Sequence, residues 1–416
     1  MFSSIRALYK DTYWSEKSYI SLLIYIWGAV IFGFFIGALS HVNFLLPIHE
    51  YISDSIFYIL FVFSIPYMRG YVKTSEVVLY ILIAIYYFLN YVFYPNNVNT
   101  LDMYIVRFLC LALPMFFVGK SLNIYKYSDA FYRISVLSIL FSALYYMFYV
   151  QQSNYAGSAE VGGEIHEMGA SYLVLPHVLF VLYYTFKRFN LFRFLLSVLG
   201  GLLICSFGTR GPLMCLLLFV TLYLLVFKKY KHPIFSKIII VSLFLIVFCF
   251  LNEIMMFMSF VTKQVGMSDR IFQIALEGNF VGGEASSDGR LDYVGMCYSL
   301  LDQKDSIFGF GLGGTYKYIF TYPHNLLIEL HFSFGYIIGT LLFLLLIGVM
   351  LKKLVGQKDT LIRVFTLLMF CSFFVKLFMS GTFLGEPMLY LLLGFCCNRL
   401  TKSECHKRKM YVINQI

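Results

Sequence analysis

A chain of 416 residues that is 60% hydrophobic and only 13% charged falls well below the roughly 25% charged content of a soluble domain. Its net charge of +10 is spread between long apolar runs, so a nucleic-acid patch is excluded along with a soluble fold. Strict period-two alternation is absent, which excludes an outer-membrane barrel. What remains is an all-α polytopic membrane protein.

A bilayer core takes about 20 apolar residues per helix, and the runs predict about twelve transmembrane helices. They lie near 19–39, 53–67, 76–94, 103–119, 129–150, 170–186, 190–207, 211–227, 234–252, 325–351, 361–380 and 384–398. Arg6, Lys10 and Lys17 precede the first run. Arg69 and Lys73, Lys120 and Lys126, Lys187 and Arg188, Lys228 to Lys231, Lys352 to Lys358 and the tail Arg399 to Lys409 fall in every second gap. Of the alternate gaps, 40–52, 95–102, 151–169 and 381–383 hold no Lys or Arg. The positive-inside rule then places both termini in the cytoplasm, and the basic excess reflects topology and attraction to anionic lipid. Ala38-Leu39-Ser40 resembles a cleavage site, but so long an apolar run followed by many others reads as an anchor. The gap 151–169, Gly-rich with Glu160, Glu164 and Glu167, reads as a flexible surface loop. Of the nine cysteines only Cys297 falls in an external segment, so no external disulfide framework is expected. Cys396-Cys397 has no partner spacing for a metal. Residues 1–416 form one membrane domain without a soluble appendage.

The exception to this pattern is the polar stretch 253–323, an external loop of about 70 residues, a length that is uncommon and usually functional. Arg270 to Glu277 predict a short helix, and Leu291, Val294, Tyr298 and Leu301 share one helical face. Short amphipathic helices on the membrane surface are the expected form.

Unusual cations gather on the same outer side. Arg107 and Lys376 lie inside spans near their outer ends, Arg210 in the tight hairpin Ser206-Phe207-Gly208-Thr209-Arg210-Gly211-Pro212, and Arg290 and His324 in the long segment. Ionisable groups at membrane depth are costly and usually face the protein interior or a wet cavity. Snorkelling explains Arg107 or Lys376 singly, and turn capping explains Arg210. Together, on the side where positive charge is avoided, they point to an anionic ligand. Pro212 suits the first turn of a helix, which sets Arg210 beside a helix N-terminus that attracts anions. His324 follows Pro323 at another outward-facing N-terminus. Arginine forks suit phosphate oxygens, so a diphosphate at the outer boundary is the simplest ligand. His324 can serve as a general base or merely orient a neighbour, and the acids Glu253, Glu277, Asp292 and Glu329 could share the role. Gly309-Phe310-Gly311-Leu312-Gly313-Gly314 fits G-x-G-x-x-G in form only. No strand precedes it, and it reads as a backbone bend. No metal and no cofactor is expected.

Ser206, Thr209, Arg210 and Gly211, then Gly289-Arg290, then Phe308, Gly309 and Gly311, then His324-Asn325 with Gly335 and Gly339, resemble in order and sidedness the O-antigen polymerase and O-antigen ligase superfamily, membrane glycosyltransferases of the GT-C class. The resemblance covers about residues 200–340. It departs from the family in the loop 151–169, which lacks the arginine expected of a second external loop. The resemblance implies metal-independent, inverting transfer of an oligosaccharide from a polyprenyl diphosphate carrier such as undecaprenyl diphosphate. Arg210, Arg290 and His324 would be catalytic, and Arg107, Lys376, Asn325, Ser206 and Thr209 would bind the diphosphate. The setting would be a bacterial inner membrane, the site facing the periplasm or outside, with a chain-length regulator as a candidate partner. A polymerase joining lipid-linked repeat units of O-antigen (lipopolysaccharide) or capsule is the first reading. A ligase transferring the chain to lipid A core is the second. A transporter of polysaccharide or lipid-linked sugar is a third, of another class, although no matched Gly/Pro-interrupted halves are visible.

Overall fold

The computed structural model describes residues 2–33, 49–147, 167–207, 210–228, 234, 237–238, 241–242, 251–264, 276, 290–303 and 308–398. The described chain is helical, with no strand among the described residues. In order the helices are α1 (Phe2–Trp27), α2 (His49–Met68), α3 (Thr74–Phe93), α4 (Val98–Ile105), α5 (Leu113–Ser121), α6 (Ile124–Tyr145), α7 (Glu167–Lys187), α8 (Leu191–Ser206) and α9 (Arg210–Leu222). They continue as α10 (Leu251–Gln264), α11 (Arg290–Gln303), α12 (Gly314–Ile319), α13 (Leu326–Phe334), α14 (Tyr336–Gly356), α15 (Thr360–Met369) and α16 (Pro387–Cys397). A π-helical turn, Val106–Ala112, joins α4 to α5, and another, Phe370–Phe374, extends α15 into the 3-10 turn Val375–Phe378.

Six stretches are long and apolar enough to cross a membrane: Thr74–Phe93, Pro95–Ser121, Gly169–Lys187, Arg210–Phe227, Tyr336–Gly356 and Thr360–Phe378. The protein is therefore an all-α membrane protein. Six is the number that length and composition establish among the described residues, against the twelve expected. Asp54–Met68, Leu191–Ser206 and Pro387–Cys397 are apolar but shorter. The expected span 234–252 lies almost wholly outside the described residues, as do the loop 151–166 and the tail 399–416.

Contacts divide the chain into two compact units. The first comprises Met1–Tyr67, Ala130–Met296 and Leu367–Ser380. Three of its helices are tied by a buried polar chain: Trp27 Nε1 on α1 donates to Ser135 Oγ on α6 at 3.0 Å, and Ser135 Oγ meets His177 Nδ1 on α7 at 3.2 Å. The Trp27 ring stacks on Phe131 with centroids 4.7 Å apart. Polar side chains inside a helical membrane bundle find partners across helices in this way.

The second unit comprises Met68–Asp129, Cys297–Thr366 and Gly381–Ile416. Its tightest crossing is α5 on α16. A Cβ on Gly119 would lie 2.0 Å from the Leu391 carbonyl oxygen, and one on Gly394 would lie 1.9 Å from that of Phe116. The two backbones are in direct contact at a reciprocal glycine pair, the packing that small residues permit between membrane helices.

The run 325–351, expected as one span, is two helices. Gly335 (φ 81°) breaks it between α13 and α14, a conformation open to glycine but strained for other residues. The short α13 folds back on α14, where His331 Nε2 meets Thr340 Oγ1 at 2.9 Å. The bend Phe308–Gly314 docks on the C-terminal end of α13. Phe310 N donates to Phe332 O at 2.7 Å and Gly311 N to Ser333 O at 3.1 Å. Asn90 Oδ1 accepts from Leu312 N at 2.9 Å, while Asn97 Nδ2 donates to Phe310 O at 2.8 Å and Leu312 O at 3.1 Å. Side-chain amides thus satisfy a buried backbone that has no ladder of its own. The G-x-G-x-x-G string is a structural bend, as its sequence context suggested. Of the face expected on 291–301, which falls on α11, Leu301 is buried and Val294 and Tyr298 are half-buried, next to the buried Cys297, while the side chain of Leu291 lies outside the described residues. The helix expected over Arg270 to Glu277 lies outside the described residues except for Leu276, which is helical.

Candidate active site

In the first unit, Arg210 is the first residue of α9. A cation at the positive end of a helix dipole is unfavourable by a few tenths to about 1 kcal/mol, so Arg210 is not there to stabilise its own helix. The next residue explains the local packing. A Cβ on Gly211 would lie 1.8 Å from Tyr172 Oη and 3.3 Å from Met379 Sδ. Only glycine lets the Tyr172 ring of α7 reach this turn. Lys376, in the 3-10 turn that ends its span, places Nζ 5.3 Å from the centroid of the same ring. Lys376 and the Arg210-Gly211 turn, distant in sequence, therefore both meet Tyr172 at the N-terminus of α9. Ser206 closes α8, and its buried hydroxyl donates to Leu202 O at 2.7 Å. That bond serves the helix end. Thr209 and Gly289 lie outside the described residues, and so do the side chains of Arg290, which opens α11, and of Asp292.

In the second unit, His324 holds a left-handed backbone (φ 51°). Histidine is one of the few non-glycine residues enriched there, and such strain clusters at functional sites. Its ring lies 4.3 Å from that of Tyr322. Tyr322 in turn is 6.2 Å from Tyr316, and Tyr316 shares a 2.7 Å hydroxyl–hydroxyl bond with Tyr104. Asn325 is the N-cap of α13, its Oδ1 accepting from Leu327 N at 3.0 Å and Ile328 N at 3.4 Å. The cap occupies two of the free N–H groups at the helix end beside His324. The Asn325 oxygen is likewise engaged in the fold.

Arg107 sits in the π-helical turn, a distortion frequent at functional sites. It is exposed, and its Nε donates to Gly385 O at 3.0 Å. Glu329, one of several acids considered from sequence, is fully buried on α13. One carboxylate oxygen accepts from the Thr382 hydroxyl and the other from Phe383 N at 3.3 Å. Burial pushes its carboxyl up to about 7, against the opposing pull of those two hydrogen bonds. Two other buried cations are committed elsewhere: Lys120 pairs with Glu76, and Lys353 donates to Asn398 O beneath the Phe395 ring.

Tyr172, Tyr104, Tyr316, Tyr322 and Thr382 were not singled out from sequence. Among 34 tyrosines nothing in local spacing marks these, since their partners come from other elements. Among the described residues no group of three or more His, Cys, Asp or Glu is placed to hold a metal ion. Compared with models of protein families, with curated proteins and with solved structures, the chain matches none.

Proposed function

We propose that the protein is a membrane glycosyltransferase that joins polyprenyl-diphosphate-linked oligosaccharide repeat units into O-antigen or capsular polysaccharide. It would act on the outer side of a bacterial inner membrane. The observation that carries this reading is the meeting of Lys376 and the Arg210-Gly211 turn at Tyr172, at the start of α9. Two cations beside a helix N-terminus suit a diphosphate.

In the proposed reaction an acceptor sugar hydroxyl attacks the anomeric carbon of the donor chain. The new glycosidic C–O bond forms as the bond to the lipid diphosphate breaks, and the diphosphate departs with the electron pair. Arg210 and Lys376 stabilise its developing charge, an effect worth several kcal/mol per well-placed group. By the sequence resemblance, Arg290 and Arg107 are assigned to the same task. His324 takes the proton of the acceptor hydroxyl and releases it to water.

A deletion strain tests the reading on a gel of surface polysaccharide. A single repeat unit on the core supports the polymerase, while no attached repeat points to the ligase. An unchanged ladder overturns both. Purified protein given lipid-linked repeat units separates the remaining class: chain growth without a second protein supports the enzyme, and passage across liposomes without bond formation makes it a transporter.

A further inference from the structure

Glu329 is an odd choice for a buried position. Burial of a carboxylate is costly unless its oxygens are hydrogen-bonded, and here both are, to one short segment. The Thr382 hydroxyl and the Phe383 N–H both donate to it. The same segment is closed on itself: Thr382 Oγ1 accepts from Leu384 N at 3.3 Å, and Gly385 N donates to Thr382 O at 3.1 Å. The Phe383 carbonyl accepts from Tyr390 Oη at 3.2 Å. At its far end the turn offers the Gly385 carbonyl to Arg107 Nε, with the Tyr104 ring so close that a Cβ on Gly385 would lie 3.0 Å from it. All of these contacts lie within the second unit.

We infer that Glu329 is a positioning residue: it clamps the turn Thr382–Gly385, whose last carbonyl holds Arg107, and so fixes Arg107 relative to the helix that begins after His324. The inference rests on the reading above for what Arg107 and His324 do, but the clamp itself is a matter of contacts. An acceptor-only group is required, because both partners donate. A glutamine would turn an amide N–H toward one of them, leaving a buried donor unsatisfied. Burial raises this carboxyl to about 7, so opening the turn to water, where the group ionises more readily, is favoured as pH rises and the clamp loosens toward higher pH. The groups facing it from neighbouring elements are Tyr104, Tyr316, Tyr390 and Cys297, with Tyr322 and Arg107 beside Tyr104.

The full-length protein in detergent tests this by amide hydrogen exchange and by chain extension from lipid-linked repeat units. In Glu329→Gln, exchange at Phe383 and Leu384 rises while that of α14 stays as in the wild type. Turnover falls about tenfold, the scale of losing a hydrogen bond to a charged group. The double variant Glu329→Gln/Arg107→Ala is no slower than Arg107→Ala alone, because the two act as one unit. Thr382→Val gives the same exchange signature from the other side of the clamp, should Glu329→Gln fold poorly. Unchanged exchange in both variants overturns the inference, as do effects of Glu329→Gln and Arg107→Ala that multiply. Faster exchange in a protein whose wild type extends no chain upholds the clamp and sinks the transferase reading instead.

Discussion

The ammonium of Lys376 lies over the ring of Tyr172, 5.3 Å from its centroid, and both residues belong to the first unit. An aromatic face attracts a cation through its ring quadrupole, so the Tyr172 ring helps to fix where the Lys376 ammonium sits. Replacing Lys376 with Met, which keeps the length and removes the charge, is expected to lower polymer formation by about 10²-fold at normal protein level. Arg210→Lys is expected to be nearly as damaging as Arg210→Ala, because a point charge does not reproduce the bidentate fork. Polymer ladders from cells carrying each variant, normalised to membrane protein, decide it. Full-length polymer in both single variants would remove these cations from the site.

Gly211 makes the same contact possible. A Cβ there would sit 1.8 Å from Tyr172 Oη, so Gly211→Ala must push the ring away from Lys376. The expected loss resembles that of Lys376→Met. Deleting the hydroxyl relieves the worst overlap, which leaves a Cβ contact of 2.9 Å to the ring carbon. Gly211→Ala/Tyr172→Phe should therefore regain part of the activity that Gly211→Ala loses. A double variant no better than the single one would mean that the glycine serves something other than this approach.

His324 can be separated from its neighbour by backbone conformation. Asparagine tolerates the left-handed region but cannot act as a base near neutral pH. His324→Asn is thus expected to keep the fold and lose about 10²- to 10⁴-fold in turnover. Asn325→Ala removes the cap of α13 and is expected to cost about 1 kcal/mol in stability, with a much smaller change in turnover. Thermal unfolding and chain-extension rates on the two purified variants distinguish the roles. Substantial activity in His324→Asn would demote the histidine to an orienting group.

Most of this architecture is legible in local sequence, because apolar runs dictate spans and Pro212 marks the start of α9. The break at Gly335 is hidden: the residues on either side are as apolar as a continuous span, and a lone glycine within a helical pattern is commonly tolerated. Glu329 is hidden for a different reason. Its sequence position at the mouth of an apolar run suggests an acid near the surface, and only the return of Thr382–Gly385 from far along the chain buries it. The Tyr172–Lys376 pairing and the α5–α16 glycine contact are likewise products of which helices meet. The cations stood out because charge is scarce in this chain, whereas the tyrosines that place them were lost among many others.

The buried Glu329 also sets an expected pH dependence of stability. Its carboxyl is raised from 4.5 to about 7 in the folded protein by burial. As pH rises from 4.5, the unfolded chain gives up this proton first, so the folded state binds more protons across that interval and its stability falls. The contribution is fully present below about 4.5, declines up to about 7, and is gone above it, at most about 3 kcal/mol in all. His331 on the same helix works in the opposite direction, since burial lowers its pKa and its share of stability is lost as pH falls. The informative quantity is therefore the difference between wild type and Glu329→Gln. Melting in detergent from pH 4.5 to 8 should show the wild type losing ground to the variant through this window and running parallel to it above pH 7. Parallel curves throughout would mean that the carboxylate is solvated rather than enclosed by α13 and the Thr382–Gly385 turn.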